Sequence, residues 1–546
     1  MRLAELGILL IAITRAVDDM ALKSANNYAS IARKQTSIDI SSADSPSAGA
    51  ARRRSRLPRM THRRVLGVLV LALSGAVVGP AAAQPATAQP ATEVRYAVRY
   101  VQAGDTTVGI TLSWTPPLAS PAALVMPRAI PMGYGEQRYD AFVRQLMAVD
   151  AAGTARAAVR EEGPRWRLEA GTTRVTYAVD LATLERTVRA ASDQSRVRDG
   201  YFGALGYSLF AFVDGTEAQP ARVTIDGPAG WPIFATLAPR FPLTAGPVEA
   251  RASDYYALAD SQIVMGPKAE VRRLTTAQVP VYLASYAEGP VDLDRVGRLA
   301  QTAFERVAAW FGTTPFEHYT LHQELLTPIS PEHEYGMSME HLGSSTYYLA
   351  ASAGITAAST ADDDARVLYN YAHHIAHAWV PKRAYGRGYF PFQWELAPVI
   401  DSIWFAEGFG QYAAIQAVAA GTSDPAAFRA GMLERRFRTN ITAAPLFLRK
   451  LSLVELSRVA STRYGEDFRT GRLVFSRGGL MAAAIDDRIQ QETKGAKSLR
   501  DALRYLVAWT AREQRAFAID ELPGLLREAT GVEVGEVIEE WLEPLP

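Results

Sequence analysis

The side chains with the most chemical potential in this chain stand in one short run. In "YAHHIAHAW", residues 371–379, three of the eight histidines fall within five positions, and seven of the eight lie between His318 and His377. His373 and His377 are i and i+4, so a helix would project them side by side. Two imidazoles at that spacing can share one Zn²⁺ at about 2.0–2.1 Å. Alone the spacing is a weak signal, since solvated and core histidines reach it by chance. Thirty positions after His377, in "SIWFAEGFGQYAA" (402–414), Glu407 can add a carboxylate. Two His and one Glu form a catalytic zinc set that leaves a fourth position for water. The chain has no cysteine, so disulfides, thiolate nucleophiles and Cys-ligated zinc are excluded, and a metal must be held by His, Asp or Glu.

The elements that must position these groups can be read from periodicity. The metal-site helix begins near the acidic "ADDDA" and ends before Pro381, and Glu407 lies on a second amphipathic helix. Upstream, "VPVYLASYAEG" reads as a strand, 292–312 as a helix with apolar residues at three and four, and 333–350 as a segment with a strand-like tail. Earlier still, "VRYAVRYVQA", "TTVGITLSW", "RWRLEAGTTRVTYAVDL", "YSLFAFVDG" and "ARVTIDGP" read as strands separated by turn residues. The expected architecture is α+β and multidomain: an all-β sandwich-like domain over 94–250, a mixed α/β part over 251–350 and a helical metal-site part over 351–546. A chain of 546 residues exceeds one ordinary core. The β domain shows no His and carboxylate constellation, so its expected task is structural or substrate-shaping.

The N-terminal portion carries a different signal. From Met60, "MTHRRVLGVLVLALSGAVVGPAAAQPATAQP" has a charged start at Arg63 and Arg64, an apolar run from Val65 to Val78, and a small-residue cleavage site at Ala81 to Ala83. The run is too short for a permanent membrane span, which needs roughly 20 residues. A secretory signal over 60–83 predicts a periplasmic or secreted protein with no membrane span after cleavage, entered through a Pro/Ala linker at 84–93. Because such a signal is read from an N-terminus, translation is expected to start at Met60, with residues 1–59 outside the natural product. A disordered natural extension, or a signal of its own at Leu6 to Ile13, is the alternative. A net charge of +1 gives no electrostatic reason to expect nucleic acid as a partner.

In its catalytic segment the chain resembles the glycyl aminopeptidases, a family of gluzincin metallopeptidases related to thermolysin. The resemblance rests on the spacing from "HHIAH" to "FAEGF", on "HAWVPKR", on "YGMSMEHLGSST" and on "MPRAIPMGYGEQRYDAFV", and it covers most of residues 94–546. It implies a thermolysin-like mixed catalytic domain, zinc held by His373, His377 and Glu407, and a peptide substrate held by its N-terminus. Glu340, in "MEH", resembles the family glutamate that faces the substrate's α-amino group; a strand-edge or supporting carboxylate is its bland reading. In relatives a PDZ domain follows the helical part, and none is expected here after "EEWLEPLP".

Two departures accompany these matches. In H-E-x-x-H the glutamate is the general base toward zinc-bound water; here His374 stands there. The family's oxyanion-stabilising tyrosine, in a Tyr-x-Lys-Gly pattern, is replaced by Phe475 in "VFSRGG". On accepting a proton a glutamate becomes neutral, whereas His374 would become a cation beside Zn²⁺. At about 5 Å and an effective dielectric of about 20 that repulsion is roughly 6–7 kcal/mol. A missing oxyanion donor removes about 3 kcal/mol more. The sequence thus predicts a zinc-aminopeptidase-like protein that keeps its metal ligands and is weak or inactive as a peptidase. An active aminopeptidase for small N-terminal residues and a metal-free structural or peptide-binding module are the alternatives. His374 could also turn inward as a ligand, although neighbouring helix positions diverge by about 100°.

Overall fold

A computed structural model describes residues 93–545. The leader read at 60–83, the residues ahead of it and all but the last residue of the linker lie outside the described residues. The protein is α+β, with a β-rich N-terminal part and a helical C-terminal part. Among the described residues no helix is long and apolar enough to cross a membrane.

In the N-terminal part a seven-stranded sheet, containing the strands Glu93–Arg99, Thr107–Thr115 and Thr172–Asp180, is accompanied by two four-stranded sheets. Period-2 alternation explains the main sheet: in "TVGITLSWT" Val108, Ile110, Leu112 and Trp114 are buried and their neighbours are not. One strand expectation fails. "YSLFAFVDG" forms a helical turn, Gly206–Leu209, and then a strand of only two residues, Phe212–Val213. A short, wholly buried apolar run has no solvent face to mark its period. Gly206 fixes the outcome, because a Cβ there would lie 2.3 Å from the Leu258 carbonyl oxygen. "RWRLEAGTTRVTYAVDL" is two strands, Arg165–Leu168 and Thr172–Asp180, and then opens a helix, Leu181–Thr187, capped by Asp180.

A five-stranded sheet divides the molecule's two cores. Its order is Glu270–Leu274, Val281–Ala287, Tyr319–Leu326, Ser344–Ala350 and, at the edge, Met337–Glu340. The central strands run parallel and the edge strand antiparallel. Successive residues point to opposite faces. Val281, Leu283, Leu321 and Tyr347 therefore join the core with the helices, while Tyr282, Ala284, Tyr286 and Tyr348 join the core of the β-rich part.

Two helices cover the first face. Leu293–Phe311 is capped by Asp292 and stopped by Gly312 in the left-handed region. Ala361–Ala376 starts at Thr360, which forms a reciprocal capping box with Asp363. His377 is its C-cap residue, so the second histidine stands on the last turn.

Candidate metal centre

The Glu407 segment departs from the simple helix expected of it. Trp404–Phe409 is a π-helical turn that passes into the α-helix Gly410–Ala419. Such turns add a residue to the helical repeat and recur at functional sites. Packing shows how it is held: this turn lies backbone to backbone against the long helix Phe468–Glu492. A Cβ on Gly408 would come within 2.3 Å of the Gly478 carbonyl carbon, and one on Gly478 within 2.0 Å of the Trp404 carbonyl oxygen. The "AEGF" and "SRGG" segments thus meet through their glycines, and Glu407 and Phe475 line one cavity.

The three expected ligands come together. His373 Nε2 and His377 Nε2 are 2.8 Å apart, and each lies 3.5 Å from Glu407 Oε2. The δ-nitrogen of His377 donates to the Val380 carbonyl at 2.8 Å. That bond fixes the ring and turns its ε-nitrogen to the site. Around a tetrahedral ion with bonds of about 2.0–2.1 Å, donors stand about 3.4 Å apart. The two carboxylate distances already match, and the imidazole pair must open by about half an ångström. The donor set therefore fits zinc.

Among these groups alone the charge is settled by a proton. Burial opposes protonation of His377, but the carboxylates of Glu340 and Glu407 outweigh it and raise the imidazole to about 9. Burial and the neighbouring imidazoles push His373 down to about 3. His377 can then donate through Nε2 to the bare Nε2 of His373. Despite burial, Glu340 and Glu407 are held low, chiefly by the charge on His377.

Glu340 and His374 face one another across the site. Glu340 ends the edge strand and is buried, yet it accepts no hydrogen bond among the described residues; His374 Nδ1 stands 3.6 Å from its Oε2. Burial lowers the His374 pKa, opposed by the Glu340 carboxylate. The His374 ring sits edge-on to Tyr347 at 5.7 Å. Phe475, on the long helix, is buried beside the same cavity and stacks on Tyr464 with centroids 5.9 Å apart. The cavity, of about 730 Å³, is lined by all of Glu340, His373, His374, Glu407 and Phe475.

One residue of the site escapes the sequence reading. Tyr134, from the β-rich part, donates its hydroxyl to Glu407 Oε1 at 3.1 Å and lies 3.2 Å from the Tyr389 hydroxyl. The β-rich part therefore supplies a group in contact with the candidate metal-binding carboxylate, which its lack of histidines concealed. Tyr134 lies in "MPRAIPMGYGEQ", where Met132 adopts φ 58° and Gly135 φ 89°. A left-handed methionine is costly and marks a loop held by its surroundings. Lys382 supplies part of that hold by donating to the Pro131 carbonyl at 2.9 Å.

Comparisons with known proteins agree with this architecture. The family model described as the peptidase M61 N-terminal domain matches residues 95–267. No curated protein sequence matches the chain. Among solved structures, the chain is similar to an aminopeptidase N family protein from Idiomarina loihiensis, with a TM-score of 0.71 at 18% identity, over 83% of this chain and 76% of that one. An M1 zinc metallopeptidase from Deinococcus radiodurans aligns at 15% identity over 83% of this chain and 93% of that one, with a TM-score of 0.49. The protein has an aminopeptidase-like metallopeptidase fold.

Proposed function

We propose that this protein is a secreted or periplasmic zinc-binding relative of the glycyl aminopeptidases that receives peptide N-termini in its cavity and hydrolyses them weakly or not at all. The metal would be held by His373, His377 and Glu407, where it supplies Lewis acidity toward a peptide carbonyl. Glu340 would pair with the peptide's ammonium group. The observation that carries the reading is the convergence of His374 and Phe475 on the cavity that Glu340, His373 and Glu407 also line. At the position of the proton acceptor is an imidazole whose pKa burial already lowers. A cation formed there would also oppose the metal's charge. At the position of the oxyanion donor is a ring without a hydroxyl.

A second reading, a working zinc aminopeptidase for small N-terminal residues, is favoured by Tyr134 and Tyr464. Both line the same cavity, with ring centroids 6.5 Å and 5.9 Å from that of Phe475; the Tyr134 hydroxyl is already given to Glu407, so Tyr464 is the better stand-in for the hydroxyl missing at Phe475. Zinc content, peptide binding and turnover separate the readings. The proposal expects one zinc per chain, binding of glycyl and alanyl peptides that is lost on N-acetylation, and little chelator-sensitive hydrolysis. Robust chelator-sensitive turnover would instead establish the second reading. Absence of zinc uptake would leave a metal-free module.

A further inference from the structure

His374 has so far been treated as a failed base, but its position gives it another use. One ring nitrogen of each of His373, His374 and His377 lies within 4.8 Å of the other two. The ring centroids of His373 and His374 are 4.6 Å apart, and those of His374 and His377 5.7 Å. The angular divergence of adjacent helix positions is thus offset by the reach of the imidazole. His374 Nδ1 is buried without a hydrogen-bond partner, and the Glu340 carboxylate is 3.6 Å from it. A buried ring nitrogen and a buried carboxylate, both without hydrogen bonds and facing each other, are poised for the carboxylate–histidine–metal arrangement in which one ring nitrogen is anchored and the other binds.

We infer that His374 is a third imidazole ligand to the same cation, anchored by Glu340, so that His373, His374, His377 and Glu407 enclose the metal with four protein donors. The inference rests on the metal-binding reading above but replaces its open, Lewis-acidic position with a closed one. A site with three protein ligands keeps an open position for water, whereas four protein donors make it a closed, structural one. Replacing glutamate by histidine then does more than remove a base, because it converts the reactive position of the metal into a protein ligand. Glu340 has a second oxygen that remains for a peptide ammonium group, so closure of the metal site is compatible with N-terminus binding.

X-ray absorption spectroscopy of the zinc-loaded protein counts imidazoles directly, and competition with a chromophoric chelator gives zinc affinity. The wild type should show three imidazoles, and His374→Ala two, with zinc bound at least tenfold more weakly. His374→Glu should also show two imidazoles, and because it matches the H-E-x-x-H motif it provides a second variant if the alanine protein fails to fold. Glu340→Gln, which removes only the anchor, should keep three imidazoles and weaken zinc binding by a smaller factor. Two imidazoles in the zinc-loaded wild type, or equal zinc affinity for wild type and His374→Ala, would overturn the inference while leaving the metal-binding reading intact. A wild type that takes up no zinc would overturn that reading itself.

Discussion

Two groups of buried carboxylates lie against opposite faces of the five-stranded sheet, and they are satisfied in different ways. On the face toward the β-rich part, Glu324 is bound by the Arg196 guanidinium at one oxygen, and at the other by Tyr201 at 2.8 Å with His322 Nε2 at 3.2 Å. Arg196 also lies 3.6 Å from Glu185, which Arg198 binds in turn. Toward the helices, Glu340 accepts no hydrogen bond and Glu407 accepts one, from Tyr134; their neighbours are three imidazoles. The first group carries permanent cations in its own sequence. The second has no guanidinium or ammonium in contact with either carboxylate among the described residues, and depends on a proton that a metal can displace. Buried charge is stable only when compensated, so the first group reads as a structural charge network, and the second fits the metal-binding reading proposed above.

The largest effect that should follow from this contrast is at Arg196. Arg196→Ala leaves Glu324 buried without its cation and should cost about 3–5 kcal/mol of folding stability, read from urea denaturation, while the folded fraction binds zinc as before. Zinc should act in the complementary sense. At about a thousandfold excess over its dissociation constant it should stabilise the wild type by about 4 kcal/mol, and His377→Ala should abolish that gain in thermal melts.

Acid should act on the structural side in a defined window. Burial would raise the Glu324 pKa, but Arg196 and His322 hold it at about 2. A carboxylate whose folded pKa is depressed contributes stability above its unfolded pKa of about 4.5 and loses it as pH falls toward 2. That contribution is on the order of 3 kcal/mol. Denaturation between pH 5 and 2 should show it in the wild type, and Glu324→Gln should flatten the slope over the same range. The smallest effect is expected at Tyr134. Tyr134→Phe removes one hydrogen bond to Glu407 and should cost about 1 kcal/mol of stability, with zinc affinity falling by about tenfold in chelator competition.

How much of this was legible in the sequence depends on the range of each signal. His373 and His377 were readable because helical spacing is a local rule. Glu407 was legible through the family-like spacing from "HHIAH" to "FAEGF", since the absence of cysteine alone leaves every other carboxylate of the chain as a candidate. Its π-turn was not, since that follows from the close approach of Gly408 and Gly478, 70 positions apart. Tyr134 is 273 residues from the carboxylate it touches, and no periodicity links them. The proximity of His374 to the other imidazoles was obscured by the same helical geometry that revealed the first pair. Side-chain directions at adjacent helix positions diverge by about 100°, and helical spacing says nothing of how far a ring reaches. "YSLFAFVDG" failed for the opposite reason, because complete burial erased the alternation that distinguishes strand from helix.

The function proposed above turns on a metal-ligand set kept at His373, His377 and Glu407 beside a proton acceptor and an oxyanion donor replaced by His374 and Phe475. Steady-state hydrolysis of glycyl and alanyl amides by the zinc-loaded wild type and by the paired substitution His374→Glu with Phe475→Tyr tests it most directly. The account predicts little chelator-sensitive turnover in the wild type and a gain of at least about a hundredfold in the double variant. Robust metal-dependent turnover by the wild type, unchanged or reduced in the double variant, would contradict it.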